Sequence, residues 1–181
     1  MKTFGRVLTA MITSFNDDGS VNIKNTVAIA EHLLNHGSDG LVVCGTTGEN
    51  PTMSRESKIA LFKAVAEFCG DKGTIIANVG SNDTKGSVDF VKEVSAIPGI
   101  DGLLVVVPYY NKPNQQGQYL HFKSIAEATT LPIMVYNVPS RVGTGIFPAT
   151  LARLHKEYPH ICAIKEASGN LMIASEIKRL M

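Results

Sequence analysis

Six short apolar runs rich in Val and Ile recur along the chain, at residues 7–13, 41–44, 74–79, 103–107, 133–136 and 161–164. None alternates cleanly with polar residues, which is the pattern of strands buried on both faces. Their starts lie roughly 30 residues apart, enough for a strand, a crossover helix and two loops. Between them run stretches with helical period. NTVAIAEHLLNHG puts Val27, Ala30, Leu33 and Leu34 on one face and stops at Gly37. SRESKIALFKAVAEFCG opens with Ser54 as a cap and Glu56 in the first turn, and its core face reads Ile59, Phe62, Ala66 and Cys69. TKGSVDFVKEVSAI, GQYLHFKSIAEAT, PATLARLHKEY and GNLMIASEIKRLM follow the same plan, with Pro148 where a first-turn proline is welcome. Strand–helix units joined by crossovers of helical length make parallel sheets. The spacing suits either a (β/α)8 barrel or an open doubly wound sheet.

Composition narrows the function classes. Apolar residues make up 44% of the 181, enough for a real core. The net charge of +1 gives no electrostatic footprint for nucleic acid or an anionic membrane surface. No apolar run approaches the roughly 20 residues of a membrane span. The opening MKTFGRVLTAMITSF has no small-residue cleavage site and reads as mature sequence. Cys44, Cys69 and Cys162 are odd in number and lack CxxC spacing, which favours a reducing cytoplasm and small buried hydrophobes over a zinc site or disulfide frame. A complete (β/α)8 barrel needs about 250 residues, and six units are not eight. The chain also ends at EIKRLM inside an amphipathic stretch. The expectation is one domain over residues 1–181, a partial barrel without its C-terminal units.

In parallel α/β architectures, active sites lie at the carboxyl ends of the strands. GTTGEN follows the second run, PYYNKP the fourth and YNVPSRVGTG the fifth, while Lys165 and Glu166 close the sixth. A lysine among apolar neighbours loses its proton more readily, and its neutral amine attacks carbonyls to form a Schiff base. A nearby tyrosine can move the protons that step needs. Thr46, Thr47 and the turn N–H groups around Gly45 can hold a carboxylate, and Arg141 can clamp a second one through two parallel bonds. Each feature has a plainer reading. A strand-end lysine is usually a solvated rim charge, and the pair Tyr109-Tyr110 is more often packing or interface. GTTGE by itself could be a turn leading into a helix. Four such features at matching strand ends weigh against four coincidences. The set reads as machinery for a keto acid and a second acidic partner. A nucleotide-binding module has little support, since neither G-x-G-x-x-G nor G-x-x-x-x-G-K-[ST] occurs.

GTTGE, PYYN, YNVPSR and IKEASGN, in this order and spacing, resemble the class I aldolase family of dihydrodipicolinate synthase and N-acetylneuraminate lyase. The resemblance runs through the whole chain and corresponds to the first six of eight barrel units. It is stronger to the synthase branch, because neuraminate lyases do not typically carry an arginine at the position of Arg141. The resemblance implies an α/β fold of the TIM (β/α)8 type. It implies that Lys165 forms a Schiff base with pyruvate, that Tyr136 shuttles protons, and that Thr46 links Tyr136 to Tyr110, which crosses a dimer interface. Thr46 and Thr47, with Gly45, would bind the pyruvate carboxylate, and Arg141 that of aspartate semialdehyde. No metal or organic cofactor is implied; a homo-oligomer, a dimer of dimers, is. Lys58 and Gly86 stand where lysine-inhibited members carry a histidine and a glutamate, so weak or absent lysine feedback is expected. Asn82 and Tyr109 are retained there. Two rivals remain: a lyase for sialic or keto-sugar acids, and a non-catalytic fragment that assembles with longer subunits.

Overall fold

The computed structural model describes residues 4–181. The elements are β1 (Leu8–Ala10), α1 (Ile23–Asn35), β2 (Gly40–Val43), a 3-10 turn (Asn50–Thr52), α2 (Arg55–Cys69), β3 (Thr74–Asn78) and α3 (Thr84–Ser95). They continue as β4 (Gly102–Val106), α4 (Gln115–Ala126), β5 (Ile133–Asn137), α5 (Pro139–Val142), α6 (Pro148–Glu157), β6 (Ile161–Glu166) and α7 (Leu171–Leu180). The strands follow one another through a six-stranded sheet in chain order, β1-β2-β3-β4-β5-β6. Contacts group the chain into two compact units. One runs to Asn78 and resumes over Glu93–Leu103; the other holds Val79–Lys92 and Leu104–Met181.

In the first unit, β2 pairs parallel with both β1 and β3, Leu41 standing against Thr9 and Ile75. Every residue of β2 and β3 is buried. Asn22 caps α1 by accepting from the Asn25 N–H, and Ser54 caps α2 by accepting from the Ser57 N–H. The buried face of α2 is Leu61, Phe62, Val65, Ala66 and Cys69. Ile59, assigned to that face from the sequence, is only half-buried. A fully buried Phe contributes about 1.5–3 kcal/mol from apolar transfer, so Phe62 is a principal anchor here. The first apolar run, 7–13, yields only a three-residue strand, and Val7 and Ile12 are each 52% exposed.

In the second unit, β5 and β6 pair in parallel. Phe122 and Ile125 of α4 and Leu151 and Leu154 of α6 are all buried, and α6 packs against both α4 and β6. Asn114 caps α4 through the Gly117 N–H, and Pro148 opens α6 at a position whose N–H would go unpaired in any case. The last strand is more open than β5: only Ile161 of its six residues is buried.

Candidate active site

Lys165 lies within β6 rather than beyond its end, and its pairing partner on β5 is Tyr136. Neighbouring strand residues in register share a face. The Lys165 ammonium nitrogen stands 4.5 Å from the centroid of the Tyr136 ring. Lys165 is half-buried and Tyr136 is buried. Burial holds the Lys165 pKa below the ordinary lysine value. A cation over an aromatic face gains from the ring quadrupole, and a lowered pKa makes the nucleophilic neutral amine more available near neutral pH.

The register behind this pair is irregular. Ile133 pairs with Ile161, but the next residue, Met134, pairs with Ala163. Cys162 is the extra residue of a bulge, a device that re-aims the side chains after it. At the other end of the pair, buried Asn137 donates from Nδ2 to Glu166 Oε2 at 2.7 Å and accepts from the Ile146 N–H at 3.2 Å. The Asn137 carbonyl takes the Ala167 N–H, and Glu166 Oε1 accepts from the Ser168 N–H. Glu166 is thereby bound to the backbone that follows it.

Tyr110 belongs to the same unit and sits in the loop after β4. Its φ is +67°, and the Asn111 N–H reaches back to the Tyr109 carbonyl at 2.8 Å. A bond to the residue two before, around a positive φ, makes a strained γ-turn. The side chain is thrust outward, 89% exposed. Arg141 lies exposed on α5, a single turn opened by Pro139 and closed by Gly143 at φ +75°. A side chain on Gly143 would meet Lys112 Cε at 2.7 Å, so Lys112 lies directly over this turn.

The first unit holds Gly45, Thr46 and Thr47, in the turn after β2. Cys44 enters it at φ +53° and Glu49 leaves it at φ +60°. The turn closes on itself: the Gly45 carbonyl accepts from Gly48 and Asn50, and the Thr46 carbonyl from Glu49. Thr13 donates to the Gly48 carbonyl and Asn78 to the Cys44 carbonyl, each at 2.8 Å. The side chains of Thr46 and Thr47 remain exposed. Below the turn, Lys58 donates to Asn50 Oδ1 at 3.4 Å, and burial lowers its pKa. Burial also pushes the Cys44 thiol up to about 12, so it behaves as a packed hydrophobe rather than a nucleophile.

Of the residues singled out from the sequence, Lys165 and Tyr136 are brought side by side. Arg141 and Tyr110 stand on separate loops of the same unit, and Gly45, Thr46 and Thr47 share one turn of the other. Sequence reasoning passed over Asn78 and Asn111 and noted Asn82 only beside the lysine-feedback positions; with Asn137, these are the amides that fix the loops. An asparagine directly after the apolar run 133–136 was the available signal for Asn137, which the structure makes the last residue of β5. Among the described residues, no three His, Cys, Asp or Glu side chains gather as a metal ion would require, and no helix is long and apolar enough to cross a membrane.

Six strands taken in chain order, each followed by a helix, are the first six βα units of a (β/α)8 barrel. The chain belongs to the dihydrodipicolinate synthetase family, whose model matches residues 3–181. It is 51% identical over 178 residues to a 4-hydroxy-tetrahydrodipicolinate synthase of Desulforamulus reducens, covering 98% of this chain and 60% of that one. It is 52% identical over 176 residues to the enzyme of that name from Moorella thermoacetica, covering 97% of this chain and 60% of that one. Among solved structures it superposes on a dihydrodipicolinate synthase of Bacillus anthracis with a TM-score of 0.96 at 41% identity, covering all of this chain and 61% of that one. A lysine-bound structure from Cyanidioschyzon merolae gives 0.94 at 42% identity, covering 98% and 60%. The chain thus spans about 60% of the length of the curated relatives it matches.

Proposed function

We propose that this chain carries the pyruvate-capturing machinery of a 4-hydroxy-tetrahydrodipicolinate synthase, a cytoplasmic lyase of lysine biosynthesis by way of diaminopimelate. The substrates are pyruvate and L-aspartate 4-semialdehyde. The Lys165 amine adds to the pyruvate carbonyl and water leaves, giving a protonated Schiff base. That group draws electrons from the adjacent methyl, which loses a proton to form an enamine. The enamine carbon attacks the aldehyde, and the substrate amine then displaces Lys165 as the product ring closes. Tyr136 moves protons to and from the Schiff base. Thr46 links it to Tyr110, which reaches across from a second copy of the chain within a dimer of dimers. Thr47 and the Gly45 backbone bind the pyruvate carboxylate, and Arg141 binds that of the semialdehyde. The chemistry uses no metal or organic cofactor.

The observation that carries the reading is the half-buried Lys165 amine beside the Tyr136 ring, its pKa lowered by burial. The 89% exposure of Tyr110 supports a role outside its own subunit. Incubation with pyruvate, borohydride reduction and peptide mapping should place the adduct on Lys165. Lys165→Ala should give none, and Tyr136→Phe should form it slowly. A full adduct yield in Lys165→Ala would overturn the mechanism. Lys58, and the absence of a carboxylate at Gly86, leave a poor setting for a second ammonium. Free lysine should therefore inhibit weakly or not at all, and strong inhibition in a condensation assay would contradict this.

A further inference from the structure

Tyr110 sits in a turn that the chain does not adopt without support. Its φ of +67° and that of Lys112 at +47° are both left-handed values on non-glycine residues. Two such residues within three positions are costly and persist only where surrounding contacts hold them. The holding contacts come from the loop after β3. Asn82 Nδ2 donates to Asn111 Oδ1 at 2.9 Å, and Asn111 Nδ2 donates back to the Asn82 carbonyl at 3.2 Å. Asn111 is the residue whose N–H closes the turn around Tyr110. The side chain of one asparagine thus grips the neighbour of the tyrosine from a different loop.

The Asn82 loop is itself firmly seated. Ser81 Oγ accepts from the Asp83 N–H at 3.1 Å and lies 2.9 Å from Ser87 Oγ, while the Ser81 N–H donates to Ser87 Oγ at 3.0 Å. Just before it, Gly80 passes so close to β4 that a side chain there would stand 2.6 Å from the Val106 nitrogen. The loop is pinned at both ends of Asn82, once by packing against β4 and once by the start of α3. It therefore offers a rigid anchor rather than a second mobile segment.

We infer that Asn82 is a positioning residue for Tyr110, acting through Asn111: the reciprocal amide pair holds the γ-turn that aims the Tyr110 ring outward. The inference rests on the role proposed above for Tyr110. The pair also grades its own test. Asn82→Ala removes one of the two bonds, because the other is accepted by a main-chain carbonyl, whereas Asn111→Ala removes both.

Fluorotyrosine incorporation gives each of the five tyrosines a fluorine NMR line, assignable by Tyr→Phe variants. The Tyr110 line should shift or broaden in Asn82→Ala and more so in Asn111→Ala, with the lines of Tyr119, Tyr136 and Tyr158 in place. An unmoved Tyr110 line in Asn111→Ala overturns the clamp. The rate of pyruvate trapping at Lys165 then tests the consequence. Asn82→Ala should slow it several-fold, and the double variant Asn82→Ala/Tyr110→Phe should be no slower than Tyr110→Phe alone. Effects that multiply would mean that Asn82 acts elsewhere and would overturn the inference. Wild-type trapping by Tyr110→Phe would instead overturn the relay role of Tyr110, and with it the purpose of the clamp, even where the NMR line moves.

Discussion

Acidification should destabilise this chain through one histidine. His121 lies on α4 and is only 3% exposed. Its Nδ1 is 2.8 Å from Thr84 Oγ1, its Nε2 is buried with no hydrogen-bond partner, and its ring meets Phe122 edge-on. Burial pushes its pKa from 6.5 down to about 4, against the opposite pull of the Asp83 charge. The folded value lies below the unfolded one, so as pH falls the unfolded chain takes up the proton first. The stability involved is fully present above the unfolded value and is lost as pH drops through the folded one. The difference between the two values corresponds to about 3 kcal/mol. With a urea dependence of about 2 kcal/mol per molar, the unfolding midpoint should fall by about 1.5 M between pH 7 and pH 4 from this residue alone. His121→Gln keeps a side chain able to bond Thr84 but removes the titration. The assay is urea unfolding of both proteins across that range, followed by circular dichroism. The variant's midpoint should fall distinctly less than that of the parent chain. Parallel losses in the two proteins would refute the reasoning.

Three further outcomes follow from geometry already described. Asn137→Ala strips Glu166 of a hydrogen bond and leaves the buried Ile146 N–H unpaired; it should cost about 2–3 kcal/mol in urea unfolding. Ser54→Ala removes the cap on the Ser57 N–H and should cost about 1 kcal/mol, read the same way. Because burial lowers the Lys165 pKa, the rate of borohydride-trapped adduct formation should rise with pH and level off below the ordinary lysine value; a plateau reached only above that value would contradict the burial argument.

Most of the architecture was legible because strand and helix leave different periods in the sequence. The runs at 41–44, 74–79 and 133–136 became β2, β3 and β5 nearly residue for residue, since full burial demands apolar side chains on both faces. The run at 7–13 misled because apolarity does not require burial: Val7 and Ile12 are half-exposed, and the ladder ends at Ala10. On α2 the apolar pattern admits more than one face. The choice of Leu61 and Val65 over Ile59 is made by the surface the helix packs on, which the helix's own sequence does not contain. At the candidate site, Lys165 and Tyr136 stood out as residues with chemistry to offer. The supports of Tyr110 did not, because Asn82 and Asn111 are 29 positions apart and a left-handed tyrosine has no signature in PYYN.

The bulge at Cys162 has a genetic consequence. From Ile133 to Tyr136 is three steps along β5, while from Ile161 to Lys165 is four along β6. The amine reaches its ring because one strand is a residue longer than its neighbour over the same span. Lys165 is therefore specified by a count as well as by a codon. Substitutions at Cys162 that keep the backbone should be forgiven, whereas an in-frame insertion beside it would set Ile164 opposite Tyr136 and turn the lysine to the other side of the sheet. Over this stretch, the length of the gene is under tighter constraint than its spelling.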